Sequence, residues 1–335
     1  MKTISVVIPC YNESSPLNDT YREVKRVLDE IQATKCYQYE MLFINDGSKD
    51  DTIDIIKSFT RFDDTVKYVS FSRNFGKEAG MLAGLEHAKG DAVVIIDADL
   101  QHPPTLIKDM VTYYEQGYDQ VIARRNRKGE KFGRKWITKT YYKIINCIMD
   151  VELVDGIGDF RLLSRKAVQS ILDMPEYNRF SKGIFSWIGF EKKVINYDNN
   201  ERISGESKWG FKSLLNYAVE GAISFNSTPL RAIIYIGIII TLLNVIYIGY
   251  TFINIMLFGV DMPGYFTLIS AVLLLGGVQL ISIGIIGEYV GRIFYEVKRR
   301  PKYIVNETNA GMKSNLVTEI KESEEKNESN MYICS

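Results

Sequence analysis

Two apolar runs near the C-terminus constrain this chain more than any other feature. Between Arg231 and Asp261 no residue is charged, and AIIYIGIIITLLNVIYIGYTFINIMLF would be apolar on every face of a helix. A second charge-free run extends from Met262 to Gly287, ahead of Glu288. Each exceeds the roughly 20 residues that cross a hydrocarbon core. Helices so long and uniformly apolar rarely form the interior of a soluble domain. The pattern predicts a transmembrane hairpin with helices over 230–259 and 265–287. The mean hydropathy of the 335 residues, −0.08, hides this because residues 1–210 are charged throughout.

The flanks set an orientation. Arg231 precedes the first run, and Arg292, Lys298, Arg299, Arg300 and Lys302 follow the second. The connecting loop carries Asp261 and no basic residue. By the positive-inside bias, both termini and the N-terminal domain are expected in the cytoplasm, on a multi-pass membrane protein. The apolar run Ile4–Ile8 is too short for a signal peptide. Residues 211–228 read as a juxtamembrane amphipathic helix and 288–302 as a juxtamembrane basic helix, both suited to headgroups. Residues 303–335 read as a disordered polar tail. Cys10, Cys36, Cys147 and Cys334 are scattered, as reduced structural thiols would be. A formal net charge of +0 gives no general attraction to nucleic acid.

Residues 1–210 alternate strand-like and helix-like segments. Ile4–Ile8, Tyr39–Ile44, Val66–Phe71 and Ala92–Ile96 read as strands; Asp19–Ile31, Asp51–Phe62 and Lys77–Ala88 read as helices. Repeated β–α units imply a mostly parallel sheet covered by helices, with ligands beyond the carboxyl ends of its strands. Three of those ends are polar: Tyr11-Asn12-Glu13, Asn45-Asp46-Gly47-Ser48 and Asp97-Ala98-Asp99. No GxGxxG follows the first strand and no GxxxxGK[ST] occurs, which disfavours dinucleotide-fingerprint and P-loop readings.

VVIIDADLQHPP is the most informative stretch. An apolar strand delivers Asp97 and Asp99 two residues apart, on the same side of an extended chain. Two such carboxylates without a local cation repel, and Mg2+ or Mn2+ would satisfy both together with phosphate oxygens. An Asp-rich turn before Pro103-Pro104 is the alternative for that stretch taken alone. Likewise the basic cluster RRNRKGEKFGRK is either a phosphate site or a solvated loop.

PCYNE (9–13), NDGS (45–48), SRNFGKEAG (72–80), DADLQHPP (97–104) and GDFRLLSRK (158–166) follow one another in this order, and ERISGESKWGFKSL (201–214) comes before the apolar pair. This ordered set resembles glycosyltransferase family 2, with its GT-A fold, and within it the polyprenyl-phosphate group that includes bactoprenol glucosyltransferase and dolichyl-phosphate mannose synthase. The resemblance implies a GT-A domain over 1–210 that is Rossmann-like, with a mostly parallel sheet, followed by a two-helix transmembrane hairpin. It implies that Pro9, Tyr11, Glu13 and Asp46 cradle the base and ribose, and that Asp97 belongs both to that donor site and to the metal site. Asp97 and Asp99 would hold the ion, with Gln101 beside it. Arg124 and Arg127 would receive a lipid phosphate, Arg202 and Lys208 would close over the phosphates, and Asp159 would stand at the acceptor. NDGS departs from the more usual DDGS, so Asn45 carries no expected role.

The implied reaction is inverting transfer of a hexose from a nucleotide-sugar, UDP-glucose or a relative, to undecaprenyl phosphate. The implied product is a carrier for cell-envelope glycosylation. The expected partners are the nucleotide-sugar, the polyprenyl-phosphate lipid, the bilayer, and further copies of the chain as a homo-oligomer. Alternatives are a GDP-mannose-dependent polyprenyl-phosphate mannose synthase, a glycolipid synthase using a lipid hydroxyl, and a degenerate membrane scaffold. A processive polysaccharide synthase is disfavoured by the absence of QxxRW.

Overall fold

The computed structural model describes residues 1–126, 156–174, 176–177, 179–198, 228–258 and 264–311. The strands are β1 (Thr3–Cys10), β2 (Gln38–Asn45), β3 (Val66–Phe71), β4 (Ala92–Ile95), β5 (Gln120–Asn126), β6 (Ile157–Ser164), β7 (Lys192–Asp198) and β8 (Val305–Thr308). The helices are α1 (Leu17–Lys35), α2 (Thr52–Phe59), α3 (Lys77–His87), α4 (Leu106–Glu115), α5 (Arg165–Leu172) and α6 (Ser181–Trp187), then α7 (Thr228–Phe258) and α8 (Tyr265–Lys298).

All eight strands form one sheet in the order β7-β5-β6-β4-β1-β2-β3-β8. β3, β2, β1 and β4 run parallel, while β6 is antiparallel to both β4 and β5. Period-2 alternation explains why β1 is central. Ile4, Val6 and Ile8 face a core shared with α1, α2 and α4, and Val7 faces a second core shared with α3, α5 and α6. Helix α1 buries Leu17, Tyr21, Val24, Leu28 and Ile31, one stripe at helical spacing. The strand order turns back between β1 and β4. That switch point opens a crevice at their carboxyl ends, as expected of a GT-A-like sheet.

Helix α3 lies unusually close to the sheet. A Cβ on Gly84 would stand 2.1 Å from Val7 Cγ1, so only glycine lets the backbone approach. This approach fixes the start of α3 over the ends of β1 and β2.

Helices α7 and α8 are 31 and 34 residues long. At about 1.5 Å per residue each outruns a hydrocarbon core of about 30 Å. Among the described residues, Leu274–Lys298 is one 25-residue stretch long and apolar enough to cross a membrane, and none of it is buried in the protein. Two sequence expectations are revised here. Helix α8 continues without a break from 265 through Lys298, so no separate helix starts at 288. Its regular hydrogen bonding has no reason to stop there, because EYVGRIFYEVK contains no proline and only one glycine.

The second revision concerns the tail. Residues 303–311 are ordered, contrary to a disordered start at 303, because β8 completes the open edge of β3 in antiparallel register. Tyr303 stacks on Phe71 at 4.7 Å and donates its hydroxyl to Glu86. Asn309 accepts from the Tyr68 N–H at 2.7 Å, and Ala310 is buried. The composition of the tail is polar, but an unpaired sheet edge offers backbone groups that polar residues satisfy equally well. Residues 211–227 of the expected amphipathic helix and the tail from 312 lie outside the described residues.

Gly84→Ala is expected to destabilise the protein by about 1–3 kcal/mol through overpacking against Val7. Thermal unfolding in detergent measures this, and an unchanged melting temperature would contradict the close approach.

Candidate functional site

The carboxyl ends of β1, β2, β4, β5 and β7 and the start of β6 lie at one end of the sheet. Antiparallel pairing of β4 with β6 sets Ile95 opposite Arg161. Continued beyond the end of β4, the same register brings Asp97 opposite Asp159. Sequence-distant carboxylates thus meet because β6 runs against its neighbour.

Asp97, read from the sequence beside Asp99 as lacking a local cation, has one, and it is shared with Asp159. Lys77, the first residue of α3, places Nζ 2.7 Å from Asp97 Oδ1 and 2.6 Å from Asp159 Oδ2. Burial works against ionising Asp97, but Lys77 and His102 outweigh it and hold the carboxyl well below its ordinary range. Asp159 is likewise depressed, with Lys77 overcoming burial and the repulsion of Asp97. Burial would lower Lys77, yet the two carboxylates raise it above its ordinary value. All three groups are therefore charged at neutral pH. Asp159 forms its ion pair with Lys77 and not with its sequence neighbour Arg161. Arg161 is buried, donates to the Gly158 carbonyl at 2.7 Å and lies 3.8 Å over the Phe185 ring. Burial pulls its pKa down to about 10.

His102 was also missed. Its Nε2 lies 3.6 Å from Asp97 Oδ2, its Nδ1 is 2.5 Å from the Tyr197 hydroxyl, and its ring packs on Phe160. Burial pushes Tyr197 up to about 12, so the phenol stays protonated. No single motif announced His102 or Lys77, although both lie inside stretches the resemblance had singled out.

Asp99 follows on a strained turn. Leu100 has φ +54°, unusual for a bulky residue, and this lets Gln101 reach back. Gln101 donates its backbone N–H to Asp99 Oδ1 at 3.1 Å and its side-chain amide to Asp99 Oδ2. In this state Gln101 orients Asp99. The Thr20 hydroxyl donates to the Ala98 carbonyl at 2.6 Å and pins the loop from below.

On the other side of the switch point stand the β1 and β2 ends. Pro9 is half-buried and Tyr11 exposed, and Glu13 donates its N–H to Thr52 at 3.0 Å. Asp46 is buried and accepts from the N–H groups of Phe75 and Gly76 at 2.6 and 2.9 Å. Burial raises its pKa despite those bonds. Asp46 thus fastens the loop that delivers Lys77. Gly47 presses on the same loop, with φ +62° and a would-be Cβ only 2.3 Å from the Arg73 carbonyl carbon.

The departure at NDGS has a local cause. Buried Asn45 donates to the Ser70 hydroxyl at 2.9 Å and accepts from the Ser48 N–H at 3.2 Å. An ionised aspartate there could not donate.

Arg124 is exposed at the carboxyl end of β5, on the same sheet edge as Asp159. Arg127, Arg202 and Lys208 lie outside the described residues.

Residues 5–172 match the family described as Glycosyl transferase family 2, and residues 228–293 match the GtrB C-terminal hairpin. The chain is 55% identical to the putative glycosyltransferase CsbB of Bacillus subtilis over 91% of this chain and 92% of that one. It is 42% identical to the SfII prophage-derived bactoprenol glucosyl transferase of Shigella flexneri, over 92% of this chain and 99% of that one. Identity to the bactoprenol glucosyl transferase of Shigella phage SfV is 43%, over 90% and 97%.

One site residue makes stability depend on pH. Glu78, beside Lys77, accepts from the backbone N–H and hydroxyl of Ser181. Burial, reinforced by Asp159, pushes its carboxyl up to about 7. Between the ordinary value of 4.5 and about 7, the folded protein holds a proton that the unfolded chain has lost. The contribution of Glu78 to stability is therefore highest at the acid end, falls through that window and is level above it. Glu78→Gln should flatten the fall in melting temperature from pH 5 to 7.5; identical slopes in variant and wild type would reject the assignment.

Proposed function

The chain belongs to glycosyl transferase family 2, and on that premise we propose that this glycosyltransferase moves a hexose from a UDP-sugar, glucose first among them, to undecaprenyl phosphate. The observation that carries the reading is the union, on one chain, of the Asp97–Lys77–Asp159 edge with a hairpin of the kind found in the GtrB family. Relatives named for bactoprenol glucosyl transfer, 42% and 43% identical over at least nine-tenths of this chain, support it. The proposal includes two membrane spans formed by α7 and α8, with the catalytic domain and both termini cytoplasmic.

In the proposed step, an acceptor phosphate oxygen bonds to the anomeric carbon with inversion. The bond from that carbon to the diphosphate oxygen breaks, and its electron pair leaves on the nucleoside diphosphate. A phosphomonoester has a second pKa of about 6 and needs no base at neutral pH. This suits Asp159. A general base works best with a pKa near the working pH, whereas Lys77 holds Asp159 ionised and far below it. Asp159 therefore orients groups at the acceptor side, and this favours a phosphate over a lipid hydroxyl as nucleophile.

Mg2+ or Mn2+ fits the donor set at the edge. Such ions take one or two protein carboxylates and complete their shell with water and phosphate oxygens. Asp97 and Asp99 supply two, and among the described residues no group of three potential ligands is already arranged to hold an ion. When bound, the ion would offset charge growing on the leaving diphosphate. Pro9, Tyr11, Glu13 and Asp46 are assigned to the nucleotide side, and Arg124, Arg127, Arg202 and Lys208 to the phosphates. Bringing two anions together is the main electrostatic demand, and these cations answer it.

Membranes carrying the protein, given undecaprenyl phosphate and separately labelled UDP-glucose, other UDP-hexoses or GDP-mannose, should form an acid-labile lipid from UDP-glucose. Label arriving only from GDP-mannose would transfer the assignment to a mannose synthase. Asp99→Ala should lower transfer by about 100-fold or more while membrane insertion persists; transfer within a few-fold of wild type would sink the role of Asp99. Arg124→Ala should raise the requirement for lipid phosphate more than that for the donor, as measured by the two KM values, and equal changes would count against an acceptor role.

A further inference from the structure

Lys77 occupies the position between Asp97 and Asp159 where a cation is most favourable. Both contacts are at ion-pair distance, and Lys77 is the side chain that bridges the two carboxylates; His102 Nε2 lies farther off, 3.6 Å from Asp97. Yet the side chain is not locked in place. It keeps 45% of its surface exposed, and its long flexible stem leaves α3 just after Gly76, where φ is +96° and a Cβ would meet nothing within 4 Å. The helix itself cannot shift, because Asp46 and Gly47 hold the preceding loop and Gly84 seats α3 on Val7. The ammonium can thus leave Asp97 by stem rotation while its Cα stays fixed.

We propose that Lys77 is a positioning residue that stands in for the divalent ion before the donor arrives, disfavouring bare metal at Asp97 and turning to the donor diphosphate once metal and nucleotide enter together. This rests on the metal-dependent reading above. The physical reason is charge. A divalent ion approaching Asp97 alone meets an ammonium within a few ångströms and must break its ion pair. A nucleoside diphosphate brings negative oxygens that give the displaced ammonium a new partner while Asp159 keeps hold of it. Lys77 therefore couples the order of loading to the position of Asp159: the acceptor-side carboxylate is released from Asp97 only when the donor complex forms.

The coupling gives a signature that a merely structural lysine lacks. In purified full-length protein, free Mn2+ is followed by electron paramagnetic resonance, without turnover, alone and with UDP or GDP. Lys77→Gln should bind Mn2+ without nucleotide at least tenfold more tightly than wild type, yet bind the nucleotide–Mn2+ complex at least tenfold more weakly. Lys77→Arg, which keeps the cation, should stay within about threefold of wild type for Mn2+ alone. Loss of affinity in both measurements for Lys77→Gln, or no change in either, would overturn the inference. If Lys77→Gln does not fold, Lys77→Met in the same assay takes its place, and Lys77→Arg binding bare Mn2+ tenfold more tightly would overturn the inference independently. A wild-type protein that takes up no Mn2+ even with UDP or GDP would instead overturn the metal-dependent reading, and this inference with it.

Discussion

The candidate site depends on one ammonium shared between two carboxylates on antiparallel neighbours. Lys77 draws Asp97 from the end of β4 and Asp159 from the start of β6 to a common point. Two half-buried negative charges there would otherwise repel and take up protons, since burial alone raises both pKa values. With the ammonium in place both remain ionised, the state a metal-and-diphosphate site requires. The supports of Lys77 are therefore supports of the site. Asp46 ties down the 75–76 backbone, Gly47 allows the loop to close on β2, and Gly84 brings α3 onto the sheet.

The same loop is reached from the C-terminal side. The Ser72 N–H donates to the Ile304 carbonyl at 3.0 Å, and Tyr303 stacks on Phe71 immediately before the loop. At the end of α8, Glu296 accepts from the Tyr177 N–H at 2.7 Å, and Tyr295 stacks on Tyr177 at 5.6 Å. The chain leaving α8 is thus fastened to the N-terminal domain twice, once on either side of Arg299. A helix suited to a bilayer and the loop that precedes Lys77 are joined by residues 299–303, a short connection that begins with Arg299 in the left-handed region. This short path limits how far the crevice can move relative to the end of α8.

Much of the fold was legible from periodicity. Strand Val66–Phe71 and the first residue of α3 lie where alternation and helical spacing place them, and the three polar segments follow parallel neighbours β1, β2 and β4 at one end of the sheet. Asp97 and Asp99 stand out in the sequence because a wholly apolar strand running into two aspartates is a local pattern. Lys77 and His102 were not, because their importance arises from pairing across β4 and β6, a relation with no local period. The tail was misjudged for a related reason. VNET has no hydrophobic signature, and its order comes from the open edge of β3, which composition does not register.

Asp159 shows how such a long-range contact narrows the chemistry. Taken alone, an aspartate near an acceptor is equally suited to accepting a proton or to holding a cation. Its ion pair with Lys77 separates these roles, because the proton affinity that a base needs is what the ammonium removes. A lipid hydroxyl would need that affinity, whereas a lipid phosphate at neutral pH already carries the charge that attacks. The electrostatic problem then shifts from deprotonation to assembly, and cations at the ends of neighbouring strands become the essential groups. Arg124 at the end of β5 is the described cation that the proposed reaction assigns to this task. The substitution of a shared ammonium for a proton acceptor thus links the antiparallel turn of β6 to the chemical class of the acceptor.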